Sequence, residues 1–132
     1  MIEIVNRSGY PTRRVKAIVR NALADLDVAD IFILVRTHRR RHGETRGVYY
    51  NGGHVEVSLP PTDVEPSCTW HPYRRKEAPP AFELRGWEEH LAAVVAHEAH
   101  HHRQWLAGRP AIEHECDWAA YRAVRRYREQ AT

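Results

Sequence analysis

Two histidines and a glutamate in the segment VVAHEAHHHRQWLAG, residues 94–108, have the spacing of a metal-dependent hydrolytic site. His97 and His101 are four residues apart, so on a helix both imidazoles project from one face and can reach a single ion. Glu98 completes an H-E-x-x-H pattern, in which two imidazoles hold zinc and the glutamate reaches a metal-activated water molecule. The spacing therefore predicts zinc ligation by His97 and His101, with Glu98 as the general base.

The same segment holds further histidines whose directions differ from those of the predicted ligands. His100 and His102 lie off the axis set by His97 and His101, so we expect them to support the site or to face solvent. His90 lies further back on the ligand side and is expected in the core or in a cleft. The alternative is a histidine-rich helix that packs its rings against the core and holds no metal.

Carboxylates in the next helix bear on this choice. The segment AIEHECDWAAYRAVRRY has an apolar stripe that consists of Cys116, Ala119, Ala120, Ala123, Val124 and Tyr127. At 100° per residue Glu113 falls on the edge of this stripe and Asp117 just beyond it, whereas Glu115 and His114 point away. A carboxylate near a buried seam that faces two histidines is costly unless a cation lies between them. Glu113 rather than Glu115 is therefore the predicted third ligand.

The combined pattern resembles a known family. His97, Glu98 and His101, followed by Glu113 and then Asp117, look like the gluzincin arrangement of zinc metallopeptidases. The resemblance implies one Zn²⁺ per chain and zinc-dependent hydrolysis of peptide bonds in a protein or peptide substrate. It also implies that Asp117 hydrogen-bonds the far nitrogen of a ligand histidine and fixes its tautomer.

The resemblance covers residues 86–129, about a third of the chain. The stretch from Glu113 to Ala120 is similar to small intracellular members such as ImmA/IrrE-type peptidases, and the compact size is similar to SprT-like domains. Hydrolysis also needs a group that stabilises the oxyanion. Tyr121, His100 and His102 are the candidates for that role.

Periodicity and turn signals place these residues on a simple framework. The predicted elements are an amphipathic helix over residues 11–27, a buried strand over 30–36, a hairpin over 45–59 with a two-residue turn at Asn51 and Gly52, an irregular proline-rich loop over 60–80, and helices over 86–107 and 111–129. With the resemblance, this order predicts an α+β fold, a minimal zincin-like domain over residues 1–132. Its expected parts are an N-terminal helix, a small twisted mainly antiparallel sheet, an active-site helix and a C-terminal helix. The second hairpin strand is the predicted edge strand, to which a substrate peptide adds.

Composition restricts the setting. No apolar run approaches the roughly 20 residues of a membrane span, and the N-terminal residues lack a signal-peptide pattern. The chain has two cysteines, Cys68 and Cys116, too few for a disulfide framework. The prediction is a cytoplasmic protein with no membrane partner.

Two other functions stay open, and the first of them depends on clusters of basic residues. The net charge is +3, and Arg39, Arg40 and Arg41 form one cluster while residues 74–76 form another. A DNA-associated, SprT-like protease would use such arginines on phosphates, with a steep salt dependence. A non-catalytic metal-binding regulatory module is the other alternative, although Glu98 argues against it because a structural site has no use for a general base.

Overall fold

The computed structural model describes residues 1–27 and 30–131. In chain order its elements are β1 (Ile2–Arg7), α1 (Thr12–Ala22), β2 (Ile31–Thr37), β3 (Arg46–Tyr50), β4 (His54–Leu59), β5 (Thr69–Trp70), β6 (Phe82–Glu83), α2 (Gly86–Leu106) and α3 (Glu113–Ala131). The predicted α+β class is confirmed, with both predicted C-terminal helices in place. The predicted domain span of 1–132 includes residues 28, 29 and 132, which lie outside the described part of the chain.

The main sheet is mixed, with strand order β1-β2-β4-β3. The β1–β2 and β2–β4 pairs are parallel and only β3–β4 is antiparallel, so this sheet is less antiparallel than expected. Helix α1 connects β1 to β2, and such a crossover makes neighbouring strands parallel. The hairpin then inserts β4 beside β2 and leaves β3 outside. The edge strand at this end of the sheet is therefore β3, the first strand of the hairpin. The prediction that the second hairpin strand is the edge was wrong.

The hairpin turn is longer than predicted. Tyr50 pairs with His54, so the loop contains residues 51–53 rather than the two predicted turn residues. Gly52 and Gly53 have φ values of +107° and +98°, which residues with a Cβ atom rarely adopt. Both glycines are therefore required by the turn.

Helix α1 is shorter than the range of 11–27 that its apolar pattern predicts, and it ends at Ala22. The guanidinium group of Arg126 in α3 donates hydrogen bonds to the carbonyl oxygens of Asn21 and Ala22. These bonds satisfy acceptors that the end of a helix leaves free. A contact between distant parts of the chain thus fixes this end of the helix.

Helix α2 is the centre of the molecule. It packs against α1, α3, β3 and β4, and its middle turns, including Leu91 and Val95, are fully buried. The inner face of the sheet contributes Ile33, Val55 and Val57, which are also fully buried. Because α2 is enclosed on most sides, its polar residues must find partners within the protein. No helix in the described ranges is long and apolar enough to span a membrane.

Candidate metal centre

The side chains of His97, His101 and Glu113 meet between α2 and α3. The Nε2 atom of His97 lies 3.0 Å from Oε2 of Glu113, and the Nε2 atom of His101 lies 3.2 Å from Oε1 of the same carboxylate. The two imidazole rings are 5.2 Å apart at their centroids and nearly perpendicular. The structure thus brings the three predicted ligands together, with one oxygen of the Glu113 carboxylate beside each imidazole ring.

These distances suit a tetrahedral zinc site. Zinc binds imidazole nitrogen and carboxylate oxygen at about 2.0–2.2 Å, so donor atoms on one tetrahedral ion lie about 3.3 Å apart. The contacts between Glu113 and the two rings are close to this separation. Burial opposes protonation of His97, but its contacts with Asp117 and Glu113 outweigh burial and raise its pKa to about 9. The carboxylates around His97 therefore favour positive charge at this point. Two imidazoles and a carboxylate are a donor set that zinc accepts, so the residue types present fit a zinc ion.

Asp117 lies behind His97, on the side away from Glu113. Its Oδ1 atom is 3.2 Å from Nδ1 of His97, within ion-pair range, although the ring is not aligned for a hydrogen bond. The carboxylate is only 3% exposed and accepts hydrogen bonds from the indole of Trp70 and from the backbone N–H of Tyr73. Burial opposes its ionisation, but the contact with His97 and the bonds from Tyr73 and Trp70 lower its pKa. Asp117 is thus held as an anion that can orient the His97 ring.

Gln104 contacts His101, the second predicted ligand, and no pattern in the sequence predicts this role. Its Oε1 atom lies 3.2 Å from Nδ1 of His101. An amide oxygen only accepts hydrogen bonds, so Nδ1 of His101 donates to Gln104, and this contact keeps Nε2 directed toward Glu113. Gln104 also bonds both backbone groups of Ile112, which ties the end of α2 to the start of α3.

The carboxyl group of Glu98 lies beside the same centre. Its Oε1 atom is 3.9 Å from Nε2 of His97, and its side chain is 13% exposed. Burial raises the pKa of Glu98, the two histidines lower it and Glu113 raises it further, with a net increase. A carboxylate whose pKa is raised toward neutrality suits the role of a general base.

Cys116 is a second candidate for the third ligand. One donor atom from each of His97, His101 and Cys116 lies within 4.8 Å of the others. Its thiol is fully buried, and burial together with the charges of Glu113 and neighbouring carboxylates raises its pKa. A bound zinc ion would itself deprotonate a coordinating thiol, so the choice between the two ligands depends on geometry. Because Glu113 contacts both rings at 3.0 and 3.2 Å, we favour Glu113.

Glu115 is predicted to face solvent, but its carboxylate has partners within the protein. Its carboxylate accepts two hydrogen bonds from the guanidinium of Arg109 and one from Gln104. It also lies 3.9 Å from Nε2 of His100. Glu115 therefore holds the loop between α2 and α3, on the other side of α3 from His97.

The other three histidines of α2, His90, His100 and His102, are buried. His102 is 2% exposed and its Nδ1 atom lies 2.8 Å from the hydroxyl of Tyr49. His100 is also buried, and burial together with Arg103 lowers its pKa to about 4. His90 is in the core, as one of its two predicted placements required, with its ring against Thr45 and Ser67.

The predicted oxyanion donors are not at the metal centre. The hydroxyl of Tyr121 accepts a hydrogen bond from Arg125, one turn away on α3, and its ring packs edge-on against Phe82. His100 points toward Glu115 and His102 toward Tyr49. The polar partners of these three side chains are therefore residues other than His97, His101 and Glu113.

A cleft of about 650 Å³ opens onto the centre. Besides His97, Glu113 and Asp117, it is lined by residues of the proline-rich loop, namely Trp70, His71, Pro72, Tyr73 and Arg74. Trp70 stacks obliquely on His97 with 5.6 Å between ring centroids. The proline-rich loop, for which the sequence predicts no function, therefore forms one wall of the site.

Strand β3 approaches the other side of the centre at Gly47. A Cβ atom at this position would lie 2.4 Å from Cγ1 of Val94 and 2.9 Å from Cγ of Glu98. Contacts this short require the strand or the helix to move. Glycine is therefore needed at position 47 for β3 to lie against the catalytic candidate Glu98.

We expect Gly47→Ala to lower the free energy of unfolding by about 1–3 kcal/mol, the usual cost of overpacking, and to reduce hydrolysis because Glu98 is displaced. Val48→Ala on the outer face of β3 is the matched control and should change stability by less than about 1 kcal/mol. Thermal unfolding and a peptidase assay measure the two effects. Equal behaviour of the two variants would mean that the close approach of β3 is unimportant.

The predicted arginine clusters lie away from the ligands or at the rim of the cleft. Arg41 forms a two-bond ion pair with Asp63, which occupies it. Arg39 and Arg40 are exposed. Arg74 lines the cleft near Glu113, so the second cluster borders the metal centre.

No protein-family model, curated protein or solved structure matches this chain. The likeness to gluzincin peptidases rests on the H-E-x-x-H motif and on the convergence of His97, His101 and Glu113. Function must accordingly be argued from the chemistry of the site.

Proposed function

We propose that the protein is a zinc-dependent metallopeptidase in which His97, His101 and Glu113 hold the ion and Glu98 is the general base. The observation that carries the proposal is the carboxylate of Glu113, which contacts Nε2 of both histidines while Glu98 lies buried beside them. Four side chains of these types in this order match the requirements of hydrolysis at a metal.

Each residue has a distinct task in this proposal. A bound zinc ion would supply the Lewis acidity that activates water and polarises a peptide carbonyl. Glu98 accepts the proton from the attacking water and delivers it to the leaving amine. Asp117 and Gln104 hold the two imidazole rings from behind. Their contacts keep both Nε2 atoms directed at the centre.

The arrangement favours a catalytic site over a structural one. Structural zinc sites are closed by four protein ligands, whereas catalytic sites use three and leave one position open. Here two of the three proposed ligands, His97 and Glu113, line a cleft, and the side chain of Glu113 is 47% exposed. A reactant can therefore approach the centre from solvent.

Strand β3 supports a peptide as the substrate. Its partner in the sheet is β4, so its outer edge presents backbone groups that an extended peptide can pair with. Gly47 brings this strand next to Glu98. A peptide paired with β3 would thus run beside the metal centre, and its recognition would be largely independent of sequence.

The two cysteines support a proposal about the cellular setting. Cys68 and Cys116 are both free, one exposed and the other buried. Free thiols are typical of a reducing compartment. We therefore place this activity in the cytoplasm.

We expect the purified protein to cleave casein or a fluorogenic peptide, to lose this activity after treatment with a zinc chelator, and to regain it when zinc is restored. The chelator removes the ion that activates the reaction. A magnesium addition in place of zinc is the matched control and should restore nothing, because magnesium prefers octahedral oxygen ligands. Cleavage that continues after complete removal of zinc would contradict the proposal.

A further inference from the structure

The face of the main sheet opposite the helices carries aligned rows of side chains. Inward-facing residues such as Ile33 and Val57 are fully buried, whereas their neighbours in sequence point outward and stay partly exposed. Strand pairing places outward residues side by side across all four strands. Two of these rows have a composition that an ordinary solvated face does not explain.

The first row is aromatic. Phe32 pairs with His54, and His54 pairs with Tyr50. The ring centroids of Phe32 and His54 are 4.9 Å apart, and those of Tyr50 and His54 are 5.4 Å apart. Tyr50 is 51% exposed, and the side chain of His54 is 42% exposed. The ring planes of Phe32 and Tyr50 are inclined to that of His54 by 48° and 87°, so the three rings form an aromatic row, open to solvent, in which each ring presents its own face.

The second row is basic. Arg7 pairs with Arg36, Arg36 pairs with Ser58, and Ser58 pairs with Arg46. All three arginines are exposed. Arg36 lies 3.9 Å from Glu56, a loose pair, while Arg7 and Arg46 have no ion pair within the described ranges.

The loop after β2 adds to this charge at the same end of the sheet. Arg39 and Arg40 follow the last residue of β2 by two and three positions and are exposed. The acidic groups on this face are Glu3, in the aromatic row, and Glu56, between the rows. Cations therefore outnumber anions on this face and are concentrated at one end.

We propose that this face binds single-stranded nucleic acid, with bases stacked on Phe32, His54 and Tyr50 and phosphates near Arg7, Arg36 and Arg46. The two rows are four residues apart along each strand, about 13 Å at the rise of a β-strand. Exposed rings on a sheet stack on the faces of unpaired bases, and arginines neutralise the backbone. The sequence pI of about 9.1 agrees with a polyanionic partner.

A single strand fits this surface better than a duplex. Stacking requires base faces that are free, and in a duplex they are covered by neighbouring base pairs. The surface is on the opposite side of the sheet from α2 and its histidines. Arg46 and Tyr50 lie on β3, but nucleic acid would use their outward side chains, whereas the proposed peptide would use the backbone edge of that strand. The two proposals are therefore tested by different measurements, and either can fail without the other.

Fluorescence anisotropy with a labelled 15-nucleotide oligothymidylate tests this inference. We expect the unaltered protein to bind at about 50 mM salt and to lose affinity as salt rises. Tyr50→Ala should weaken binding by about 5- to 150-fold, the range for one base–aromatic stack. The double variant Arg7→Ala, Arg36→Ala should reduce the slope of log K against log salt by about 1.4, since each phosphate contact on a single strand contributes about 0.7.

The double variant Arg103→Ala, Arg122→Ala is the matched control. It removes two exposed arginines from α2 and α3 and should leave both affinity and slope unchanged. Tyr50 is half exposed, so a thermal melt should show that its variant remains folded. Absence of binding at 50 mM salt, equal affinity for a duplex or for polyglutamate, or equal loss in the control would overturn the inference.

Discussion

The Glu98→Gln variant is expected to keep its fold and its zinc but to lose hydrolysis by about 10²- to 10⁴-fold, the contribution typical of general acid–base catalysis. The amide has nearly the shape of the carboxylate but cannot accept a proton from water. Glu98 is 3.9 Å from the nearest ligand nitrogen of His97, whereas Glu113 contacts both rings more closely. Its loss should therefore affect the reaction and not the metal.

Glu88→Gln is the matched control for this variant. It makes the same chemical change on the same helix, in the first turn of α2, where the nearest ion-pair partner is Arg14 at 3.8 Å. We expect it to retain full activity. Zinc content measured beside the rate distinguishes the outcomes, because loss of zinc from Glu98→Gln would make Glu98 a ligand and full activity would place the base elsewhere.

The Glu113→Ala variant is expected to bind zinc more than about 100-fold more weakly, a larger loss than removal of an outer hydrogen-bond partner causes. Among the described residues, Glu113 is the carboxylate that lies within 3.2 Å of Nε2 of both histidines, and its removal leaves two imidazoles without the third donor. Competition with a chelator of known affinity measures the change. Hydrolysis should fall with zinc occupancy.

Glu115→Ala separates a ligand from a loop contact. It removes the bonds to Arg109 and Gln104, so we expect a loss of about 1 kcal/mol in unfolding free energy. Zinc affinity should stay nearly the same, because Glu115 contacts neither His97 nor His101 among the described residues. Equal losses of zinc affinity in the two variants would mean that the start of α3 is arranged differently.

Helical spacing made part of the site predictable. His97 and His101 share a face because they are four residues apart, and Glu113 and Asp117 share a face of α3 for the same reason. A short connection between the helices then requires them to pack side by side. These facts follow from local geometry, and the structure places the four residues as that geometry requires.

Other parts of the site depend on contacts between distant segments and had no signal in the sequence. Trp70 and Tyr73 bind Asp117 from a loop without periodicity. The role of Gly47 depends on which hairpin strand lies outside, and that order follows from β2 pairing with β4. In the sequence, Cys116 is one member of an apolar stripe. Its proximity to the two histidines depends on how α2 packs on α3, which the sequence pattern does not show.

Zinc X-ray absorption spectroscopy of the purified protein, combined with elemental analysis, tests the central claim most directly. We expect about one zinc per chain with only nitrogen and oxygen neighbours at about 2.0–2.2 Å, as His97, His101 and Glu113 require. A sulfur neighbour at about 2.3 Å would assign the third ligand to Cys116 instead. A folded protein that contains no zinc and takes up none when it is added would contradict the claim altogether.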